Sequence, residues 1–107
     1  MLAKPLTPFQ EMAEERITML ATEVGKSVSR REILESEAHF YDKEPQTYVK
    51  LWIEGVQIWI FDNEASFEGL SDNRGFERDD FDSDEALLDG LISALRREWQ
   101  PDQRLRP

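Results

Sequence analysis

Two alternating runs of apolar and polar residues meet at Glu54-Gly55 within residues 48–61, Y-V-K-L-W-I-E-G-V-Q-I-W-I-F. A two-residue connection of this kind predicts a tight β-hairpin. Folded about that turn, Ile53 faces Val56, Leu51 faces Ile58 and Val49 faces Ile60, so one face is purely branched aliphatic. The other face pairs Trp52 with Gln57, Lys50 with Trp59 and Tyr48 with Phe61. The aliphatic pattern predicts a core-facing surface. The mixed aromatic and polar pattern suits an interface, because Trp and Tyr combine large contact area with a polar handle.

The same parity extends downstream. A turn at Asp62-Asn63 leads into a strand through residues 64–67, which puts Ala65 and Phe67 on the aliphatic face and Ser66 beside Trp59. A one-residue slip would turn every side chain over, so this agreement supports a meander. Upstream, residues 37–42 (E-A-H-F-Y-D) read as a strand, returned by a loop at 43–46. With that loop, Phe40 pairs with Val49 and Tyr41 with Tyr48, and His39 and Tyr41 join the aromatic face. Residues 26–36 admit two readings: Ser29-Arg30-Arg31-Glu32 opens a short helical turn, or Ile33 or Leu34 begins a strand. Residues 69–75 read as a loop, and 76–81 as a short edge strand.

Helical periodicity flanks this block. Thr7 reads as an N-cap, Pro8 as the first helical position, and Gln10 closes a Thr-x-x-Gln capping box. Phe9, Met12, Ala13, Ile17, Leu20, Ala21 and Val24 follow at steps of three and four, and Gly25 stands at the stop position. The spacing predicts a helix over 8–24. A second helix is predicted from an Asp82 N-cap, with Glu85 completing a capping box and Phe81 stapling onto Ala86. Its buried stripe is Leu87, Leu88, Leu91, Ile92, Leu95 and Trp99. Arg96 and Arg97 complement the helix dipole, and Pro101 ends it.

The expected architecture is α+β: an N-terminal helix, a three- to four-stranded antiparallel meander and a C-terminal helix, with both helices packed on one sheet face. A single domain covers residues 1–107, its core at 7–99 and a mobile tail at 100–107. Four strands make a sheet roughly 15–20 Å wide, and two helices of about 10 Å each cover one such face. The aromatic face is then left for a partner, unless the first helix crosses to that side.

Charge narrows the partners. The 107 residues carry 23 acidic and 13 basic side chains, a net charge of −10. Direct nucleic-acid binding and anionic membrane surfaces are disfavoured, since phosphates attract basic surfaces. A basic protein partner is compatible with this charge. The absence of cysteine removes disulfides, thiolate chemistry and most zinc sites. No apolar run approaches a membrane span, and no apolar segment follows Lys4 as a signal peptide requires, so a cytoplasmic location is expected.

The candidate site is therefore a partner-binding surface: His39, Tyr41, Tyr48, Lys50, Trp52, Gln57, Trp59 and Phe61. A contiguous patch of this kind marks an interaction site, for a protein partner or for a second copy in a homodimer. A competing reading treats the chain as a small enzyme or ligand-binding domain using His39, the sole histidine, with nearby carboxylates in a pocket on the same sheet. No glycine-rich phosphate loop, G-x-S-x-G or H-E-x-x-H accompanies it. The acidic run 77–85 gives Asp80, Asp82 and Asp84 the spacing that opens a calcium loop. Glu85 and Leu91 then occupy the positions needing glycine and glutamate, and helix capping explains the same acids. Catalytic residues, metal ligands and cofactors are accordingly assigned to none. In size, acidity and layout alone the chain resembles small bacterial accessory proteins of the inhibitor, immunity or adaptor type, with no motif in common.

Overall fold

The computed structural model describes residues 5–36, 46–70 and 72–100. The chain runs α1 (Pro8–Glu23), β1 (Val28–Glu35), β2 (Thr47–Ile53), β3 (Val56–Ile60), β4 (Glu64–Glu68), β5 (Asn73–Glu77), a 3-10 turn (Arg78–Asp80) and α2 (Asp84–Trp99). The strands form one antiparallel meander in sequence order, β1-β2-β3-β4-β5. This is the predicted α+β layout with five strands in place of three or four.

The hairpin register matches the alternation. Ile53 pairs with Val56, Trp52 with Gln57, Leu51 with Ile58, Lys50 with Trp59 and Val49 with Ile60. Glu54 and Gly55 both take positive φ, 41° and 88°, as a two-residue turn matched to strand twist requires. Glu54 also accepts a hydrogen bond from the Ser27 N–H at 2.6 Å, which ties the turn to the start of β1. Downstream, Ile58 pairs with Phe67, Trp59 with Ser66 and Ile60 with Ala65, as the parity predicted.

Three expectations are corrected. Val49 pairs with Ile33 and Tyr48 with Leu34, so β1 occupies the places expected for Phe40 and Tyr41. The chain leaves β1 at Ser36 and is pinched there: the Ser36 N–H donates to the Gln46 carbonyl and the Gln46 N–H to Ser36 Oγ, both at 2.9 Å. The ambiguous segment is thus a strand, and the expected strand at 37–42, with His39, Phe40 and Tyr41, lies outside the described residues, as does 101–107 of the expected tail. Second, β5 begins at Asn73, inside the segment read as a loop, and ends at Glu77. Third, α2 is capped by Ser83, whose hydroxyl accepts from the Ala86 N–H at 3.1 Å. Asp82 instead offers its carbonyl to Arg78, which also binds Asp84 at 2.7 Å and the Phe81 carbonyl at 2.7 Å. Phe81 reaches the Phe76 ring, with centroids 6.2 Å apart.

The core lies between one sheet face and the two helices. Val49, Leu51, Ile53, Val56, Ile58, Ile60, Ala65, Phe67 and Phe76 meet Phe9, Ala13, Ile17, Leu20 and Ala21 of α1 and Leu87, Leu88, Leu91, Leu95 and Trp99 of α2. Each large aliphatic side chain buried here stabilises by roughly 1.5–3 kcal/mol. α1 packs over β2 and β3, and α2 packs toward β5. Gln10 has a second role beyond its cap. Its Oε1 accepts from the Thr7 N–H, while its buried Nε2 donates to the Thr47 carbonyl at 2.7 Å and the Ile60 carbonyl at 3.3 Å. The capping residue therefore also fixes the sheet against the helix. Ion pairs from Arg16 to Asp89, at 2.8 Å, and from Arg96 to Glu23 join the helices, and Arg31 with Glu14 joins β1 to α1. No helix among the described residues is long and apolar enough to cross a membrane.

Candidate functional site

Strand alternation that sends the aliphatic residues of β2 and β3 into the core sends Tyr48, Lys50, Trp52, Gln57 and Trp59 to the opposite side. Burial follows the same alternation, with core residues buried and these five half-buried. Both helices contribute their buried stripes to the aliphatic side, so among the described residues neither covers the aromatic one.

Cross-strand pairing arranges this face in three rows. One row reads Arg30, Trp52, Gln57, Glu68, Asn73 and the next Glu32, Lys50, Trp59, Ser66, Gly75. In the third, Leu34 pairs with Tyr48, whose ring stacks on Phe61 at 4.6 Å between centroids, and Glu64 pairs with Glu77.

Cations fill the spaces between the indoles. Lys50 Nζ lies 4.6 Å from the ring centroids of both Trp52 and Trp59. The Arg30 guanidinium lies 4.9 Å from the Trp52 centroid and also pairs with Glu32. The sequence Arg30, Trp52, Lys50, Trp59 is therefore one continuous ladder of cation–π contacts, each worth about 0.5–1 kcal/mol at an exposed site. It sets the aromatic rings between cations and leaves them half-buried.

The far side of Trp59 is built differently. Ser66 and Gly75 continue its row, and a methyl group added to Gly75 would meet only the Ser66 Cβ, at 4.0 Å. Glycine weakens a strand interior and offers no side chain to pack, so this part of the face is open. Glu64, Glu68 and Glu77 surround these small residues, are exposed, and form no ion pair among the described residues. The face is thus divided, with cations and aromatic rings over β1–β3 and free carboxylates over β4–β5.

Six predicted site residues, Tyr48, Lys50, Trp52, Gln57, Trp59 and Phe61, are brought together on β2, β3 and the residue after it. His39 and Tyr41 lie outside the described residues. Sequence reading missed Arg30, Glu32 and Leu34, because β1 was assigned to later residues. Among the described residues, no group of three or more acidic or histidine side chains has metal-site geometry. A groove of about 630 Å³ lies on the helical side, lined by Met19, Leu20 and Ile92 and flanked by the paired Arg16 and Arg96. Ion pairs on that side of the molecule perturb the ionisation of their partners. Hydrogen bonding to Arg96, then its charge, holds the Glu23 carboxyl below its ordinary range, and the bond to Glu14 raises the Arg31 guanidinium. Neither touches the aromatic face. Comparison of this chain with protein-family models, curated proteins and solved structures finds no match in any of the three.

Proposed function

We propose that this chain is a non-enzymatic interaction module that binds a protein through the sheet face carrying Tyr48, Lys50, Trp52, Gln57, Trp59 and Phe61. The observation that carries this reading is the ladder of Arg30, Trp52, Lys50 and Trp59, half-buried or exposed on a face that neither helix covers. Its tryptophans and arginine are of the types that dominate binding energy where a partner excludes water from them. Holding the rings between cations lowers the side-chain ordering cost of association, which otherwise runs at about 0.5–1.5 kcal/mol per side chain. The net charge of −10 and the unpaired carboxylates on β4–β5 favour a partner surface with basic character.

The test is capture from native extract by the immobilised chain, compared with a Trp52→Ser/Trp59→Ser variant shown by circular dichroism to be folded. The reading predicts a specific protein retained by the native chain and lost with the variant. Equal retention by both chains, or retention by neither, contradicts it.

A further inference from the structure

Carboxylates outnumber cations on the aromatic face, and the excess is local. Glu32, Glu64, Glu68 and Glu77 stand against Arg30 and Lys50. Arg30 is paired with Glu32, and Lys50 lies at the two indoles. Among the described residues, Glu64, Glu68 and Glu77 are left without an ionic partner, all of them over β4–β5. Glu64 is also the direct cross-strand partner of Glu77. Like charges directly opposite each other destabilise a sheet, so this pair works against the free fold and is relieved by a cation.

Shape points to the same place. Trp59 is flanked by Lys50 on β2 and by Ser66 on β4, and Gly75 continues its row to the sheet edge. Ser66 and Gly75 rise little above the backbone, so the row is a shallow trough with an indole at its inner end. Glu64 and Glu77 lie in the row on one side of it, and Glu68 in the row on the other. Resting on the reading of this face as an interface, we propose that its occupant is a basic segment of a partner protein that lays an arginine side chain along this trough. The stem covers Ser66 and Gly75, the guanidinium comes between the flanking carboxylates, and its flat face meets the Trp59 ring. Arginine suits the trough better than lysine. A planar guanidinium stacks on an aromatic ring and donates to carboxylates in a fixed fork, whereas an ammonium is a compact, strongly hydrated point charge.

The probe is an arginine hexapeptide with blocked ends, titrated at about 0.1 M salt, where exposed charges more than about 10 Å apart are largely screened. Nuclear magnetic resonance should show it shifting the amides of Ser66 and Gly75 and the indole of Trp59, and a lysine hexapeptide should bind more weakly. Glu64→Gln/Glu77→Gln should weaken binding roughly tenfold. The same variant should not lower the unfolding midpoint, because it removes a like-charge pair. Glu11→Gln/Glu15→Gln makes the same change of net charge at exposed positions of α1 and should leave binding within about twofold. Gly75→Leu keeps every carboxylate but fills the trough, where an added Cβ meets only the Ser66 Cβ, and should weaken binding roughly tenfold. Equal weakening by the two glutamine pairs, native binding by the Gly75→Leu chain, equal binding of the lysine peptide, or no shift at these residues overturns the proposal. So does a concentration-dependent dimer in sedimentation that is lost in Trp52→Ser/Trp59→Ser, which makes a second copy the occupant. Glu64→Gln/Glu77→Gln keeps both tryptophans. If it retains a captured protein as the native chain does, the face remains an interface and the arginine trough alone is refuted.

Discussion

Lys50 Nζ stands 4.6 Å from the centroid of the Trp59 ring, its cross-strand partner, and at the same distance from Trp52 two residues along its own strand. One cation thus serves two rings on a face that the helices leave open. Lys50→Met keeps most of the aliphatic stem and removes the charge. In dilute protein it should cost about 1–2 kcal/mol in a urea titration, the sum of two exposed cation–π contacts. A neutral result would mean that the ladder contributes no order to the rings.

Gln10 should be more costly to remove than an ordinary surface glutamine. Gln10→Ala takes away the buried donor to the Thr47 and Ile60 carbonyls and one arm of the capping box. Leaving buried polar groups unsatisfied costs about 1–3 kcal/mol. A loss within that range is expected from denaturant midpoints, whereas Gln46→Ala, at an exposed residue, should change them little.

The start of α2 gives a paired test. Ser83→Ala removes the hydroxyl that caps Ala86 and should destabilise by roughly 0.5–2 kcal/mol. Asp82→Ala keeps the backbone carbonyl that Arg78 uses and should cost less than Ser83→Ala. Leu91→Ala, in the middle of the buried stripe, should cost about 2–5 kcal/mol. Thermal or chemical unfolding of the three variants side by side should rank Leu91→Ala as the most costly, Ser83→Ala next and Asp82→Ala the least.

The hydrogen bond from Arg96, with its charge, lowers the Glu23 carboxyl below its ordinary range. A lowered folded value gives stabilisation that is complete above the unfolded pKa and is lost as pH falls through the folded value. The pair is exposed, so the effect is small. Glu23→Gln should therefore lower the unfolding midpoint slightly at neutral pH. The gap from the native chain should close as the solution is acidified, as midpoints measured across the acid range will show.

Legibility in the sequence followed the strength of local constraints. The β2–β4 register was readable because Glu54-Gly55 permits one tight turn and the aliphatic parity permits no slip. β1 was not readable in the same way. Its sequence, V-S-R-R-E-I-L-E, does not alternate, since the strand lies at a sheet edge and its inward-facing Arg31 is satisfied by Glu14 on α1. The sequence therefore points to a strand at 37–42 and a loop at 43–46 instead, which leaves Arg30 off the aromatic face. The cap of α2 was misplaced by one residue because Asp82 and Ser83 suit the role equally by type. The Arg78 contacts to the Phe81 and Asp82 carbonyls, which fix the local backbone, are visible only in three dimensions.

The central claim, that the aromatic face is an interaction surface left open by the fold, is tested most directly by the accessibility of Trp52 and Trp59. Trp99 is buried at 7% exposure, with no hydrogen-bond partner for its Nε1, so Trp99→Phe removes its emission without breaking a hydrogen bond. Acrylamide quenching of the Trp99→Phe chain should be strong in dilute, demonstrably monomeric protein. It should fall when a captured partner is added. Tryptophans shielded in a proven monomer would contradict the claim, because the face would then be covered by the chain itself.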